Sequence, residues 1–306
     1  MIDTEGLTKR FGSVTAVSDL SLHVADGEVF GFLGPNGAGK TTTVRMLTCL
    51  ISTTSGSATI GGRTVGPGRD GMAIRRMIGL VPENVGLYES LSAYRNLDFF
   101  GKLYDFPEAE RHANIERYLK MMDLWDRRDE PVGNYSKGMK QKIAIARALI
   151  HDPKVLFLDE PTANLDPEAA KTVRDFILDL RKGGKTIFLN THNLDEAQRI
   201  CDRIAILKTR LITVGTPSDL EKGMAGRRTV IELDHATDAI VSAVEGRIGR
   251  PVTRDGNTIS ITAVDPEREN PGIIEAIVGA GGHIRFVTEV RPTLEDVYLR
   301  SVREAR

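Results

Sequence analysis

The sequence predicts an α/β protein followed by a smaller α+β domain, and three observations support this prediction. Short apolar strands alternate with helical segments over residues 1–215, which is typical of a largely parallel sheet with helices packed on it. The strand pattern disappears between about residues 85 and 150, where we expect a helical insertion. Residues 228–306 show a different order of elements, strand-helix-strand-strand-helix-strand, with one helix added at the end.

The boundary between the two predicted domains is placed in a linker at residues 216–227. The run GTPSDLEKGMAGRR, which begins at Gly215, is rich in glycine, charge and turn residues. In the segment that follows, a hairpin is predicted around Asp255-Gly256-Asn257. The resulting order is that of a split-βαβ, ferredoxin-like unit.

Composition and charge exclude several classes of function. Of the 306 residues, 41% are hydrophobic and 27% are charged, with a net charge of −1, so there is no polybasic footprint for nucleic acid. Two cysteines cannot form a disulfide framework and fit a reducing compartment. No run approaches the ~18 apolar residues of a membrane span, and the amino terminus is acidic where a signal peptide would be basic. We therefore expect a cytosolic protein that meets a membrane only through a partner.

A phosphate-binding motif occupies residues 34–42, which read GPNGAGKTT and match G-x-x-x-x-G-K-[ST] between a predicted strand and a predicted helix. The glycines let successive backbone N–H groups converge on a phosphate, and the positive end of the helix points at the same anion. Lys40 adds a charge on the outer phosphates, Thr41 offers a hydroxyl to magnesium, and Thr42 is available to another phosphate. The predicted nucleotide-binding residues of the motif are Gly34, Pro35, Asn36, Gly37, Ala38, Gly39, Lys40, Thr41 and Thr42.

Two adjacent carboxylates end a later apolar strand, VLFLDE, at Asp159 and Glu160. Because successive side chains of a strand point to opposite faces, we expect the two carboxylates to have different roles. We expect Asp159 to hold magnesium or its bound water and Glu160 to polarise the water that attacks the terminal phosphate. Phosphoryl transfer depends on positioning and charge neutralisation, which these groups supply.

With these motifs in place, the chain resembles the ATP-binding subunit of an ABC transporter over residues 5–216. The segment NYSKGMKQ resembles the family signature LSGGQ, with Lys137 in place of a glycine. The family pattern continues through ARALIHDPKVLFLDEPTANLD to the pair Thr191-His192. The positions matched in this way are Ser136 and Gly138 in the signature, Asp166 in the D-loop, His192 as the switch histidine, and Phe11 as the aromatic residue that stacks on adenine.

The resemblance implies a head-to-tail dimer with two ATP molecules, each held between the P-loop of one copy and the signature of the other. Taken alone, Ser136 is equally a residue type that caps a helix. One position departs from the family pattern, because Glu83 stands where most members have a glutamine that touches magnesium and the catalytic water. A carboxylate can still ligate magnesium, so Glu83 is kept as a predicted ligand together with Thr41 and Asp159.

The carboxyl-terminal segment, which contains PTLEDVYL, resembles that of the ATPases of bacterial and archaeal exporters of drugs, sodium or lipids. Such ATPases usually pair with a separate six-helix permease, which implies a location on the inner face of the cell membrane through that partner. The tail itself is a regulatory module, a brace for the dimer or a stabilising cap. The rival class, a soluble ABC ATPase that acts on nucleic acid or ribosomes, predicts tandem domains, a coiled-coil insertion or basic arms, which this sequence lacks. A non-hydrolysing scaffold would lack Glu160.

Overall fold

The computed structural model describes residues 1–223, 227–263, 265–290 and 293–304. It divides into two compact units, Met1–Pro217 with Arg300–Arg306, and Ser218–Leu299. Residues 224–226 of the predicted linker lie outside the described residues, as does the first residue of the PTLEDVYL segment. Within the described part of the chain, no helix has the length and apolarity needed to cross a bilayer.

A six-stranded sheet forms the centre of the first unit. Its strands are β3 (Val29–Leu33), β6 (Ile78–Val81), β7 (Val155–Asp159), β8 (Thr186–Asn190), β9 (Arg203–Lys208) and β10 (Arg210–Gly215). They lie in the order β10-β9-β3-β8-β7-β6, and all neighbours are parallel except β10 and β9. Every residue of β3, β7 and β8 is buried, as expected where helices cover both faces of a parallel sheet. The predicted parallel sheet is confirmed.

A second sheet in this unit is antiparallel. Its strands are β1 (Ile2–Phe11), β2 (Val14–Val24), β4 (Ser55–Ile60) and β5 (Arg63–Thr64), in the order β2-β1-β4-β5. Alternating inward residues of β1 and β2, such as Leu7, Leu20 and Leu22, join a core that also contains Phe30 and Phe188 of the parallel sheet. This sheet was not predicted as a separate layer.

The helices of the first unit include the predicted insertion. They are α1 (Lys40–Leu47), α2 (Arg69–Met77), α3 (Ala93–Leu103), α4 (Glu108–Met121), α5 (Lys137–Leu149), α6 (Pro167–Lys182) and α7 (Leu194–Ile200). Between β6 and β7, where every residue is described, the chain forms α3, α4, two 3₁₀ turns and α5 but no strand. These helices occupy the segment, between about residues 85 and 150, in which the helical insertion is predicted.

The second unit is built on a four-stranded antiparallel sheet. Its elements are α8 (Pro217–Gly223), β11 (Arg227–Leu233), α9 (Asp238–Ile248), β12 (Thr253–Asp255), β13 (Thr258–Ala263), α10 (Pro266–Gly279), β14 (Ile284–Val290) and the part of α11 (Leu294–Glu304) that precedes Arg300. The strands lie in the order β12-β13-β11-β14, and α9 and α10 pack against one face through Ile240, Ile273 and Ile277. The chain order β-α-β-β-α-β is the predicted one, and β12 and β13 form the predicted hairpin.

Two details differ from the predicted boundaries. The predicted linker begins as a helix, α8, because proline is pre-organised for a first helical position and Asp219 lies in the first turn. The chain end, predicted as part of the second domain, groups with the first unit from Arg300 onward. There the Nζ of Lys208 donates to the carbonyl of Val302 at 3.0 Å.

Candidate active site

A cavity of about 790 Å³ lies where β3, β7 and β8 end. The loop after β3 and the first turn of α1 contribute residues 36–42, the loop after β7 contributes Glu160, and the segment after β8 contributes His192 and Asn193. Because the carboxyl ends of parallel strands meet at one edge of a sheet, residues far apart in sequence converge there. This is the usual position of a ligand site in an open α/β sheet.

The loop between β3 and α1 has the conformation that the phosphate motif predicts. Gly39 has a φ of 99°, in the left-handed region, and an added Cβ would lie 2.3 Å from the carbonyl oxygen of Ala16. At Gly34 an added Cβ would lie 2.3 Å from the carbonyl oxygen of Leu207. No side chain caps α1, so its first N–H groups remain available to an anion.

Lys40 places its ammonium group against this loop. The Nζ donates to the carbonyl oxygens of Gly34 (2.7 Å) and Pro35 (3.2 Å), and the residue is buried. Burial lowers the pKa of Lys40, while the carboxylates of Glu160 and Asp159 act in the opposite direction. The lysine is therefore a positive charge held at the phosphate loop and facing two acidic groups.

Asp159 is the centre of a buried polar network. The amide of Asn190 donates to its Oδ1, and the hydroxyl of Thr41 lies 3.4 Å from its Oδ2 and donates to it. Burial raises the pKa of Asp159, Glu160 and Glu83 raise it further, and the two hydrogen bonds lower it. The backbone carbonyl of Asn190 accepts a hydrogen bond from the backbone N–H of Glu160 (2.8 Å), which links the ends of β7 and β8.

Glu160 and His192 form a pair at the mouth of the cavity. The Nδ1 of His192 lies 2.8 Å from the Oε2 of Glu160. The glutamate is 14% exposed and the histidine 67% exposed, so the pair has one sheltered and one open member. Glu160 has a φ of 52°, a left-handed conformation that is uncommon outside glycine and is found at functional sites.

Most of the predicted site residues line this one cavity. They are Phe11, Asn36, Gly37, Ala38, Gly39, Lys40, Thr41, Thr42, Glu83, Asp159, Glu160 and His192. Gly34 and Pro35 lie in the same loop and reach the site through their carbonyl contacts with Lys40. The ring of Phe11 is 51% exposed at the cavity, with the Nζ of Lys9 5.0 Å from its centre.

Ser136, Gly138 and Asp166 do not line the cavity within the single chain. Ser136 caps α5, and its Oγ accepts from the N–H of Met139 at 3.3 Å. Asp166 caps α6 through the N–H groups of Glu168 and Ala169. Gly138 is buried where α5 approaches α6. The helix-cap interpretation of Ser136 is thus observed in the chain itself.

The sequence analysis missed three polar residues around the cavity. Asn190 is the polar last residue of β8, a buried strand beside β3, and that position is a signal that could have identified it. Thr162 lies in the cavity wall after the carboxylate pair. Glu196 is only 1% exposed, and burial raises its pKa while the polar side chains of Thr162 and Thr191 act in the opposite direction. Its place in an ordinary-looking helix, α7, gave no sequence signal.

A phosphate loop that faces an aspartate, a glutamate and a histidine from neighbouring strands defines a P-loop nucleotide hydrolase. The ABC transporter family model matches residues 17–163. A daunorubicin resistance ATP-binding protein of Streptomyces coeruleorubidus is 36% identical over 312 residues, which cover 99% of this chain and 98% of that protein. Nod factor export ATP-binding protein I of Rhizobium meliloti is 38% identical over 300 residues, covering 98% and 87%.

The fold agrees with this match. A solved dimer of an ATP-binding cassette in a post-hydrolysis state, bound to ADP and Pi, is similar with a TM-score of 0.64 and 28% identity. The similarity covers 71% of this chain and 98% of that chain. The chain belongs to the family of ABC transporter ATP-binding proteins, and it is an ABC-type ATPase.

Proposed function

We propose that this chain is the subunit that binds and hydrolyses ATP to power an exporter through a separate membrane permease. The observation that carries the proposal is the cavity in which Lys40, Asp159 and the Glu160–His192 pair lie together. The proposal of export rests on the relatives, since a drug-resistance protein and a Nod factor export protein match this chain almost end to end. The permease would hold the chain at the inner face of the membrane.

The phosphate end of ATP is held by the loop and by α1 in this proposal. The N–H groups of the loop, including those at Gly37 and Gly39, and the start of α1 converge on the phosphates. Lys40 exchanges its contacts with the carbonyls of Gly34 and Pro35 for phosphate oxygens. The exposed ring of Phe11, at the rim of the same cavity, stacks on the adenine base.

The residues present fit a magnesium ion. Thr41 and Asp159 lie within hydrogen-bond distance of each other, Glu83 lines the same cavity, and all three offer oxygen, the ligand that magnesium prefers. The described residues contain no cluster of three His, Cys, Asp or Glu side chains able to hold a metal, which agrees with an ion that takes its remaining ligands from phosphates and water. When bound, the ion neutralises negative charge on the phosphates.

Glu160 acts as the general base on the attacking water. Its partly sheltered carboxylate stands directly after Asp159, and its contact with His192 fixes the direction of the side chain. The exposed imidazole of His192 is then placed to contact both the terminal phosphate and Glu160. A positioned base of this kind contributes about 10²- to 10⁴-fold to the rate.

The complete site needs a second copy of the chain. Ser136, Gly138 and Asp166 lie outside the cavity of their own chain, and the amino end of α5 is an anion-binding position. In the proposed head-to-tail dimer, these residues meet the ATP that is held by the P-loop of the partner. The dimeric relative bound to ADP and Pi supports this arrangement. Loss of the terminal phosphate on hydrolysis removes the contact that joins the two copies.

The proposal is tested by separating binding from chemistry. We expect Glu160→Gln to retain ATP binding and to slow phosphate release by about 10²- to 10⁴-fold. Lys40→Ala is expected to weaken ATP binding itself. The control is Glu116→Gln, because Glu116 is an exposed residue of α4 that is paired with Lys120 and does not line the cavity. Turnover of Glu160→Gln within a few-fold of that control would overturn the assignment of the base.

A further inference from the structure

A second cavity, of about 370 Å³, lies entirely within the C-terminal unit, between the end of α9 and the start of α10. It is lined by Arg247, Ile248, Arg250, Arg268, Glu269 and Gly272. Three guanidinium groups therefore face one carboxylate. The wall has a formal charge of +2, although the whole chain has a net charge of −1.

The single carboxylate is already engaged. Glu269 forms an ion pair with Arg250 and also accepts from the backbone N–H of Asp265 (3.3 Å). Among the residues that the structure describes, no ion pair involves Arg247 or Arg268. The Nε of Arg250 is buried and meets no hydrogen-bond acceptor in that part of the chain. This buried donor is therefore available to an acceptor atom of a ligand.

The helix that forms one wall carries residues that do not favour a helix. Pro271 lies inside α10 and Gly272 follows it, and these are the two residue types least suited to a helix interior. An added Cβ at Gly272 would lie 2.7 Å from the Nε of Arg247. The absence of a side chain there lets the guanidinium of Arg247 lie against the helix. Local sequence choices of this kind are expected at functional sites.

We propose that this arginine pocket binds the phosphate group of a small phosphate monoester. Guanidinium groups bind phosphate oxygens through paired, charge-assisted hydrogen bonds, and two or three of them match the charge of a dianion. The volume lies at the lower end of the roughly 300–1,000 Å³ of small-molecule sites, which leaves room for a short organic group beside the phosphate. A soluble phosphate ester and the monoester headgroup of phosphatidic acid present the same chemistry. The site is separate from the ATP cavity and does not depend on the proposed export function.

The test is hydrogen–deuterium exchange of the full-length protein, read peptide by peptide, because this resolves the pocket from the phosphate loop of the first unit. The two probes are glycerol 3-phosphate and vesicles that contain phosphatidic acid, with glycerol and phosphatidylcholine vesicles as blanks. We expect saturable protection in the peptides that span the end of α9 and the start of α10. Protection by glycerol 3-phosphate identifies a soluble ligand, and protection by the vesicles alone identifies a lipid headgroup.

Substitutions then distinguish a pocket from a general response to charge. Arg247→Ala and Arg268→Ala are expected to raise the half-saturating concentration of the probe by about tenfold or more, which is the scale of one charge-assisted hydrogen bond. Gly272→Ala is also expected to raise the half-saturating concentration, because the added methyl group displaces Arg247. The melting temperature is expected to stay equal or to rise, because alanine favours the helix. The control is Arg254→Ala, an arginine that is paired with Asp238 outside the pocket. Absence of protection with both probes, or equal protection in all four variants, would overturn the proposal.

Discussion

The buried carboxylate of Asp159 permits a test in which stability and function are expected to move in opposite directions. The side chain is 6% exposed, and burial is the main cause that raises its pKa, with Glu160 and Glu83 adding to it. Hydrogen bonds from Asn190 and Thr41 compensate in part. Because the folded state holds the proton more tightly than the unfolded state, the ionised group destabilises the fold. We therefore expect Asp159→Asn to stabilise the nucleotide-free protein at neutral pH.

The size of the effect follows from what the substitution retains. The Oδ1 of the new asparagine still accepts from Asn190, and the hydroxyl of Thr41 can accept from the new Nδ2 instead of donating to Oδ2. The main change is then the loss of the buried charge, so the gain is on the order of 1 kcal/mol. For a unit of this size, that gain raises the melting temperature by roughly 2–4 °C. Ligand binding has the opposite consequence. Magnesium-ATP at 100 times its dissociation constant would stabilise the wild type by about 2.7 kcal/mol, and the variant, without its carboxylate ligand, is expected to gain much less.

The pH dependence gives an independent check on the cause. The destabilisation by Asp159 is fully present above its raised folded-state pKa and disappears as the pH falls below the unfolded-state pKa, since the group is then protonated in both states. The stability difference between Asp159→Asn and the wild type is therefore expected to shrink on acidification. Thermal melts of both proteins across a pH series, with and without magnesium-ATP, measure it. Asp175→Asn, at an exposed position of α6, is the matched control.

If Asp159→Asn melts below the wild type without nucleotide at neutral pH, the carboxylate is a net stabiliser and the reasoning fails. A stability difference that does not change with pH would also refute it, because the charge would then not be the cause.

Three further predictions concern the remaining parts of the site and the domain boundary. Because Glu83 adds a negative charge beside Asp159, Glu83→Gln is expected to change the magnesium dependence of ATP hydrolysis more than the affinity for ATP, and identical magnesium titrations would contradict this. Lys40→Ala and Gly138→Asp are each expected to be nearly inactive. If the site is shared between chains, their co-expressed mixture regains about a quarter of wild-type activity, since about half of the dimers are hybrids with one of two sites intact, and two affinity tags verify that hybrids formed. A chain that ends at Pro217 is expected to bind ATP with a lower melting temperature, because the contact of Lys208 with the chain end is lost; an insoluble product would show that the first unit cannot fold without that end.

Local patterns predicted which segments meet at the first cavity, because the residues of each motif are contiguous in sequence. The P-loop, the end of β7 and His192 each occupy one short segment, and the parallel topology brings those segments together. Asn190 could have been predicted in the same way, because it is the polar last residue of a buried strand. Glu196 could not be predicted in this way, because its burial depends on tertiary packing and not on the sequence pattern of its own helix.

Long-range pairing and short helices set the limits of the prediction. The antiparallel sheet depends on the pairing of β1 with β4, whose register no local pattern shows. The predicted linker contains a proline, a serine and glycines, which are typical of turns, but the same proline opens α8. The C-terminal unit was easier to predict because its strands and helices alternate over short intervals and its sheet closes with neighbouring elements.

The positions of Ser136 and Gly138 decide how the hybrid experiment is interpreted. The Oγ of Ser136 accepts one hydrogen bond from Met139, which leaves its O–H and a further lone pair for a nucleotide, so capping and ligand binding are compatible. Gly138 is different, because an added Cβ would lie 2.8 Å from the Cβ of Ala169. Substitution there disturbs the packing of α5 on α6 even without a partner, and inactivity of Gly138→Asp alone therefore does not identify a shared site. Activity regained with Lys40→Ala does, since the only intact site in a hybrid combines the unsubstituted P-loop of one chain with the unsubstituted signature of the other.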